Sequence, residues 1–79
     1  MITRQALLEV LREVLENEDV SFESNSDNTE GWDSLGQLAI LTGLDKITNG
    51  ESSEIQDLSE CMSVQLLIET LKSNNLLSD

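Results

Sequence analysis

The sequence contains no histidine and a single cysteine, Cys61. Without histidine there can be no Ser-His or Cys-His nucleophile pair and no histidine-based metal site. With one cysteine there can be no intrachain disulfide and no thiolate cluster. Basic residues are also scarce: 4 lysines and arginines face 16 acids, a formal net charge of -12. Nucleic acids and anionic membranes repel such a chain, whereas a basic protein surface attracts it during encounter. Polar residues and glycine interrupt every apolar segment, so none approaches the roughly 20 residues of a membrane span. The opening MITRQALLEV lacks the basic-then-apolar order of a secretory signal. These absences lead us to expect a cytoplasmic monomer with no nucleic-acid partner and no membrane span. It should not be an enzyme, and any chemistry it joins should use a group brought from outside.

The 79 residues, 38% of them hydrophobic, suffice for one domain over 1–79 with one thin core. A chain of this size buries only about 60% of its unfolded surface, so the expected stability is marginal. Leu7, Leu8, Leu11, Val14 and Leu15 recur at helical spacing, opposite Glu9, Arg12, Glu13 and Glu16, which predicts an amphipathic helix over 3–17. The pattern then stops. A polar loop over 18–33 follows, rich in turn residues (SNSDNTEG) and pinned to the core by Val20 and Phe22. A loop of this length is uncommon in a compact domain and points to function or poor order.

A second helix is predicted over 34–47. Leu38, Ile40, Leu41, Leu44 and Ile47 share one broad arc at 100° per residue. Leu35 falls on the far side with Ala39, Thr42 and Lys46, so the first turn should show a large apolar residue to solvent. TNGESS ends this helix. One short helical turn is expected over 55–58, with Cys61 a small apolar residue beneath it. The last helix, over 63–73, is capped by Ser63 and turns Val64, Leu67, Ile68 and Leu71 inward. Leu66 lies off that arc, unexplained. With no strand pattern and no repeat, the fold class is all-α: a small bundle of three long helices plus one short one.

The stretch GWDSLGQL, residues 31–38, carries the most information. Ser34 and Gln37 fit an S-x-x-Q capping box, and Asp33 is also a good N-cap. A cap alone does not require Leu35 to be exposed, however. A serine between an acid and an exposed leucine, at a helix mouth, has the form of a handle presented to another protein.

In this context the chain resembles the acyl carrier proteins. The resemblance spans nearly the whole chain: its length, acidity, helix order and long first loop, and the DSL motif opening the second helix. It implies that Ser34 carries 4′-phosphopantetheine, attached from coenzyme A by a phosphopantetheinyl transferase, with Asp33 and Leu35 as flanking recognition residues. Acyl groups would then ride as thioesters to acyl-loading and acyl-using enzymes with basic docking patches. Trp32, Ala39 and Lys46 are further candidate contacts for the arm or for a partner. The chain departs from the family in the exposed face of its second helix, which reads Leu35, Ala39, Thr42 and Lys46 where several acids are usual. That departure implies a specialised carrier rather than a housekeeping one. Peptidyl carriers resemble this arrangement too, but Trp32 stands where they usually have a second glycine.

Two other readings compete. A calcium loop starting at Ser26 would put Gly31 at position six, but Ser and Gln occupy the positions that need Asp and a bidentate Glu. A protein-interaction bundle without a prosthetic group would make Leu35 and Trp32 a plain binding patch.

The charge imbalance leads directly to a test. Clustered acids repel more strongly in the compact state than in the expanded one. Added salt screens that repulsion, so moderate salt or millimolar divalent ions should raise the thermal midpoint. A midpoint that stays flat or falls in calorimetry across a salt series counts against this account.

Overall fold

The computed structural model describes residues 1–78. Three α-helices form the fold: α1 (Arg4–Val14), α2 (Ser34–Ile47) and α3 (Val64–Ser73). Two 3₁₀ stretches, Glu51–Glu54 and Gln56–Glu60, lie between α2 and α3. Isolated β-bridges occur, but there is no strand among the described residues. Among the described residues, no helix is long and apolar enough to cross a membrane.

Each α-helix begins at a side-chain cap. Thr3 accepts from the Ala6 amide, Asp33 from that of Gly36 and Ser63 from that of Leu66. Each cap satisfies one of the donors that a helix start leaves unpaired. α1 ends earlier than its periodicity predicts. Leu15 is the C-cap and Glu16 turns left-handed at φ 51°, so the helix stops short of position 17 even though Leu15 is buried. The apolar pattern outlasts the helix because Leu15 still packs on the core after the backbone has turned away.

The single short turn expected over 55–58 is replaced by the two 3₁₀ stretches. Ile55 is extended and divides them, partly buried, while Leu58 in the second is buried. Poor 3₁₀ hydrogen-bond geometry keeps such pieces short, and these two apolar side chains hold the segment to the core. Cys61 is buried just after the second stretch, as expected.

The core gathers Leu7, Leu8 and Leu11 from α1, Ile40 and Leu44 from α2, and Val64, Leu67, Ile68 and Leu71 from α3. The long loop is stitched across it. Val20 is buried with Phe22 packed alongside, so the expected pinning is seen. Arg12 donates from Nε to the Val20 carbonyl at 3.0 Å. Ser24 and Met62 carbonyls accept from the Val64 and Ser26 amides, which ties the loop to the start of α3. The two ends of the chain meet where Ile2 bridges Leu77.

Two close approaches set how α2 sits. At Gly43, a Cβ would lie 2.8 Å from Val10 Cγ1 and 3.2 Å from Val14 Cγ1, so the bare glycine lets α1 come near. At Gly36, a Cβ would overlap the Gly31 carbonyl oxygen and press on Leu15 Cδ2 at 2.9 Å. The obstacle at Gly36 is backbone and cannot rotate away. Gly36→Ala should therefore cost at least about 2 kcal/mol in urea unfolding, with altered emission from the only tryptophan, Trp32, in the folded state. Wild-type stability with unchanged emission would show that the close approach is not present in solution.

Candidate functional site

The first turn of α2 is oriented by two residues that point inward. Gly36 docks on Gly31, as described above. Gln37 is buried and fully engaged: its Oε1 accepts from Trp32 Nε1 at 2.7 Å, and its Nε2 donates to the Leu58 and Cys61 carbonyls, each at 3.1 Å. One amide thereby joins the loop, α2 and the second 3₁₀ stretch. A buried indole N–H or carbonyl without a partner would cost about 1–3 kcal/mol, so these bonds hold α2 at one rotation.

That rotation determines what faces solvent. At about 100° per residue, Ser34 lies roughly 200° from Gly36, and Leu35 lies as far from Gln37. Docking the second pair turns the first pair outward. Ser34 is exposed, and its hydroxyl holds no hydrogen bond among the described residues. Asp33 is exposed and is the N-cap: its Oδ1 accepts from the Gly36 amide at 2.9 Å. The capping box expected of Ser34 and Gln37 does not form, because Gln37 spends its side chain on the interior. Ser34 is instead the first helical residue, with its hydroxyl left free.

Leu35 is 77% exposed, as its place off the arc predicts. Leu38 corrects the expectation: it was placed on the inward arc but is 61% exposed. Ile47, at the last residue of α2, is also exposed. The true inward face runs through Gly36, Gln37, Ile40 and Leu44. The broad predicted arc was about 180° wide, and the contacts at Gly36 and Gly43 rotate its Leu38 edge into solvent. Leu35 and Leu38 flank a groove of about 530 Å³ between α1 and α2, with Val10, Val14 and Ala39 also on its walls. Glu13 and Lys46 line the same groove. Ala39 is half-buried, while Thr42 and Lys46 are exposed.

Trp32 is not available to a partner or an arm. It is only 3% exposed, and its N–H is taken by Gln37, so it anchors the loop. Leu66 and Met62 are exposed, and nothing in the structure explains Leu66. No group of three or more acids, cysteines or histidines among the described residues is placed to hold a metal.

A second groove, of about 590 Å³, opens on the adjoining face of α2, with Thr42 on the edge of both. Leu41, Ile55 and Leu58 form its apolar wall, and Asp45 stands at its helical edge. Sequence reasoning missed this groove and missed Gln37. For Gln37 there was a signal, because a polar residue sits on an otherwise apolar arc. For the groove there was none, since its far wall comes from residues 52–59.

Gln37→Ala should orphan the Trp32 N–H and the Cys61 carbonyl, while the Leu58 carbonyl keeps the Cys61 amide, and destabilise the fold by about 3 kcal/mol, read as a lower urea midpoint with tryptophan emission moved toward that of solvent. A loss under about 0.5 kcal/mol would show that water replaces these bonds and that the amide does not set α2. No family model, curated protein or solved structure matches this chain.

Proposed function

We propose that this protein is a carrier of the acyl-carrier type, with Ser34 as the attachment point of a 4′-phosphopantetheine arm. The observation that carries this reading is the Ser34 hydroxyl. It is exposed at the mouth of a 14-residue helix, free of hydrogen bonds among the described residues, and held outward by the docking of Gly36 and Gln37.

The residues present suit the group. The first-turn amides of α2 and its dipole favour a phosphate beside Ser34. Asp33 opposes this with its own charge, but its carboxylate is already turned to the Gly36 amide. Ser34 has no base of its own, since the chain has no histidine, so a transferase must take its proton. The Ser34 Oγ–phosphorus bond forms as the nucleotide half of coenzyme A leaves. Once bound, the arm supplies a thiol that holds acyl groups as thioesters. The chain itself contributes position and a recognition surface.

Exposed Leu35 and Leu38 fit that surface, because desolvated apolar anchors dominate interface energies. Most of the acid lies away from them, on α1, the long loop and residues 51–60. Basic partners are attracted by the whole molecule, while the less acidic face of α2 favours partners that do not need acids there. This is the basis for proposing a specialised carrier. The same exposed leucines would serve a protein-interaction bundle with no prosthetic group, and the mass of the protein separates the two readings.

Co-expression with a broad-specificity phosphopantetheinyl transferase should add one arm mass, and Ser34→Ala should abolish the addition with unchanged helical circular dichroism. In the same assay Leu35→Ala should slow transfer by a factor corresponding to about 1–2 kcal/mol, with little change in stability. An arm mass on the Ser34→Ala protein, or none on the wild type, would overturn the assignment.

A further inference from the structure

The groove beside Asp45 is lined by that carboxylate, by serine and threonine hydroxyls and by the Gln56 amide. The Asp45 carboxylate lines it, and Asp45 Oδ1 is buried without a hydrogen-bond partner. Of the lining hydroxyls, three already give their protons to backbone carbonyls: Thr42 to Leu38, Ser53 to Gly50 and Ser59 to Gln56. Those oxygens can still accept. Asp45 also lies in the last full turn of α2, where the helix dipole disfavours a negative charge. A buried carboxylate oxygen with no donor, at the wrong end of a helix, costs stability and calls for an explanation.

The groove is also in register with the serine. Counting from Ser34, Leu38, Leu41 and Asp45 follow at offsets of four, seven and eleven, all within about 40° of Ser34 around the helix. A stripe therefore runs from the serine hydroxyl along α2 to the groove, roughly 16 Å away at 1.5 Å per residue. An arm attached at Ser34 covers that span before its acyl group begins, so the acyl end reaches the groove with the arm folded along the stripe.

We infer that the groove receives the free end of an acyl group bearing a protonated amine, which donates to the Asp45 carboxylate. An ammonium has several donors and no acceptor, the complement of a carboxylate with an unpaired oxygen. Its hydrogen bond to a carboxylate is charge-assisted and about twice as strong as a neutral one. The apolar wall of Leu41, Ile55 and Leu58 covers the methylenes that lead to it. This inference rests on the carrier reading and adds to it the class of cargo.

The test compares two arms attached at Ser34 through non-hydrolysable amide links. One ends in an aminohexanoyl group and the other in heptanoyl, where a methyl replaces the ammonium. The aminohexanoyl arm should shift the amide resonances of Leu41, Asp45, Ile55 and Leu58. It should also raise the thermal midpoint above that of the heptanoyl protein by about 4 °C or more. Asp45→Asn should erase that difference. Equal or greater stabilisation by heptanoyl overturns the inference and leaves the carrier reading standing, as does an aminohexanoyl advantage that survives Asp45→Asn. If neither arm can be attached at Ser34, both readings fall.

Discussion

The buried amide of Gln37 is the interaction on which the rest of the site depends. It sits on the apolar side of α2 and satisfies a tryptophan N–H and two backbone carbonyls from separate parts of the chain. Buried polar groups are tolerated only when they are paired, so this amide admits essentially one rotation of the helix. With Gly36 closed onto Gly31, the neighbouring positions have nowhere to go but outward. The exposure of Ser34 and Leu35 follows from what Gln37 and Gly36 must do.

This arrangement divides the tasks within seven residues. Gly31 and Trp32 seat the long loop, Asp33 caps the helix, Gly36 and Gln37 hold it, and Ser34 and Leu35 are left free for contact. The proposed carrier role would use such a division, because an attachment point must be both accessible and rigidly presented. The two grooves that flank α2 differ in chemistry in a way that suits two tasks. One is walled by exposed leucines, and the other combines apolar walls with a carboxylate that has one unpaired oxygen.

Much of the fold was legible because it rests on local pattern. α2 spans the predicted residues, α3 begins at the predicted Ser63 cap, and Leu35 is exposed as its angle requires. Other features were misread where local pattern and packing part company. The apolar run at Val14 and Leu15 continued the helical period, yet the backbone turns at Glu16 while Leu15 still reaches the core. Residues 51–60 form two 3₁₀ stretches because Ile55 and Leu58 find burial without a regular helix to carry them.

The sequence by itself determined the three α-helices, the Ser63 cap of α3, the acidity and the exposed leucine beside Ser34. Each is a property of spacing or composition over a few turns. Only the tertiary structure decided which edge of the apolar arc of α2 faces water, so that Leu38 is outside and Gln37 inside. It alone settled that Asp33 and not Ser34 caps that helix, that Trp32 is buried, and that Asp45 borders a groove with one oxygen unpaired. The physical reason is common to all four. A helix's period sets which residues share a side, but its rotation is set by contacts with Gly31, Leu58, Cys61 and α1. Those partners are close in space and distant or unpatterned in the chain, so no local period records them.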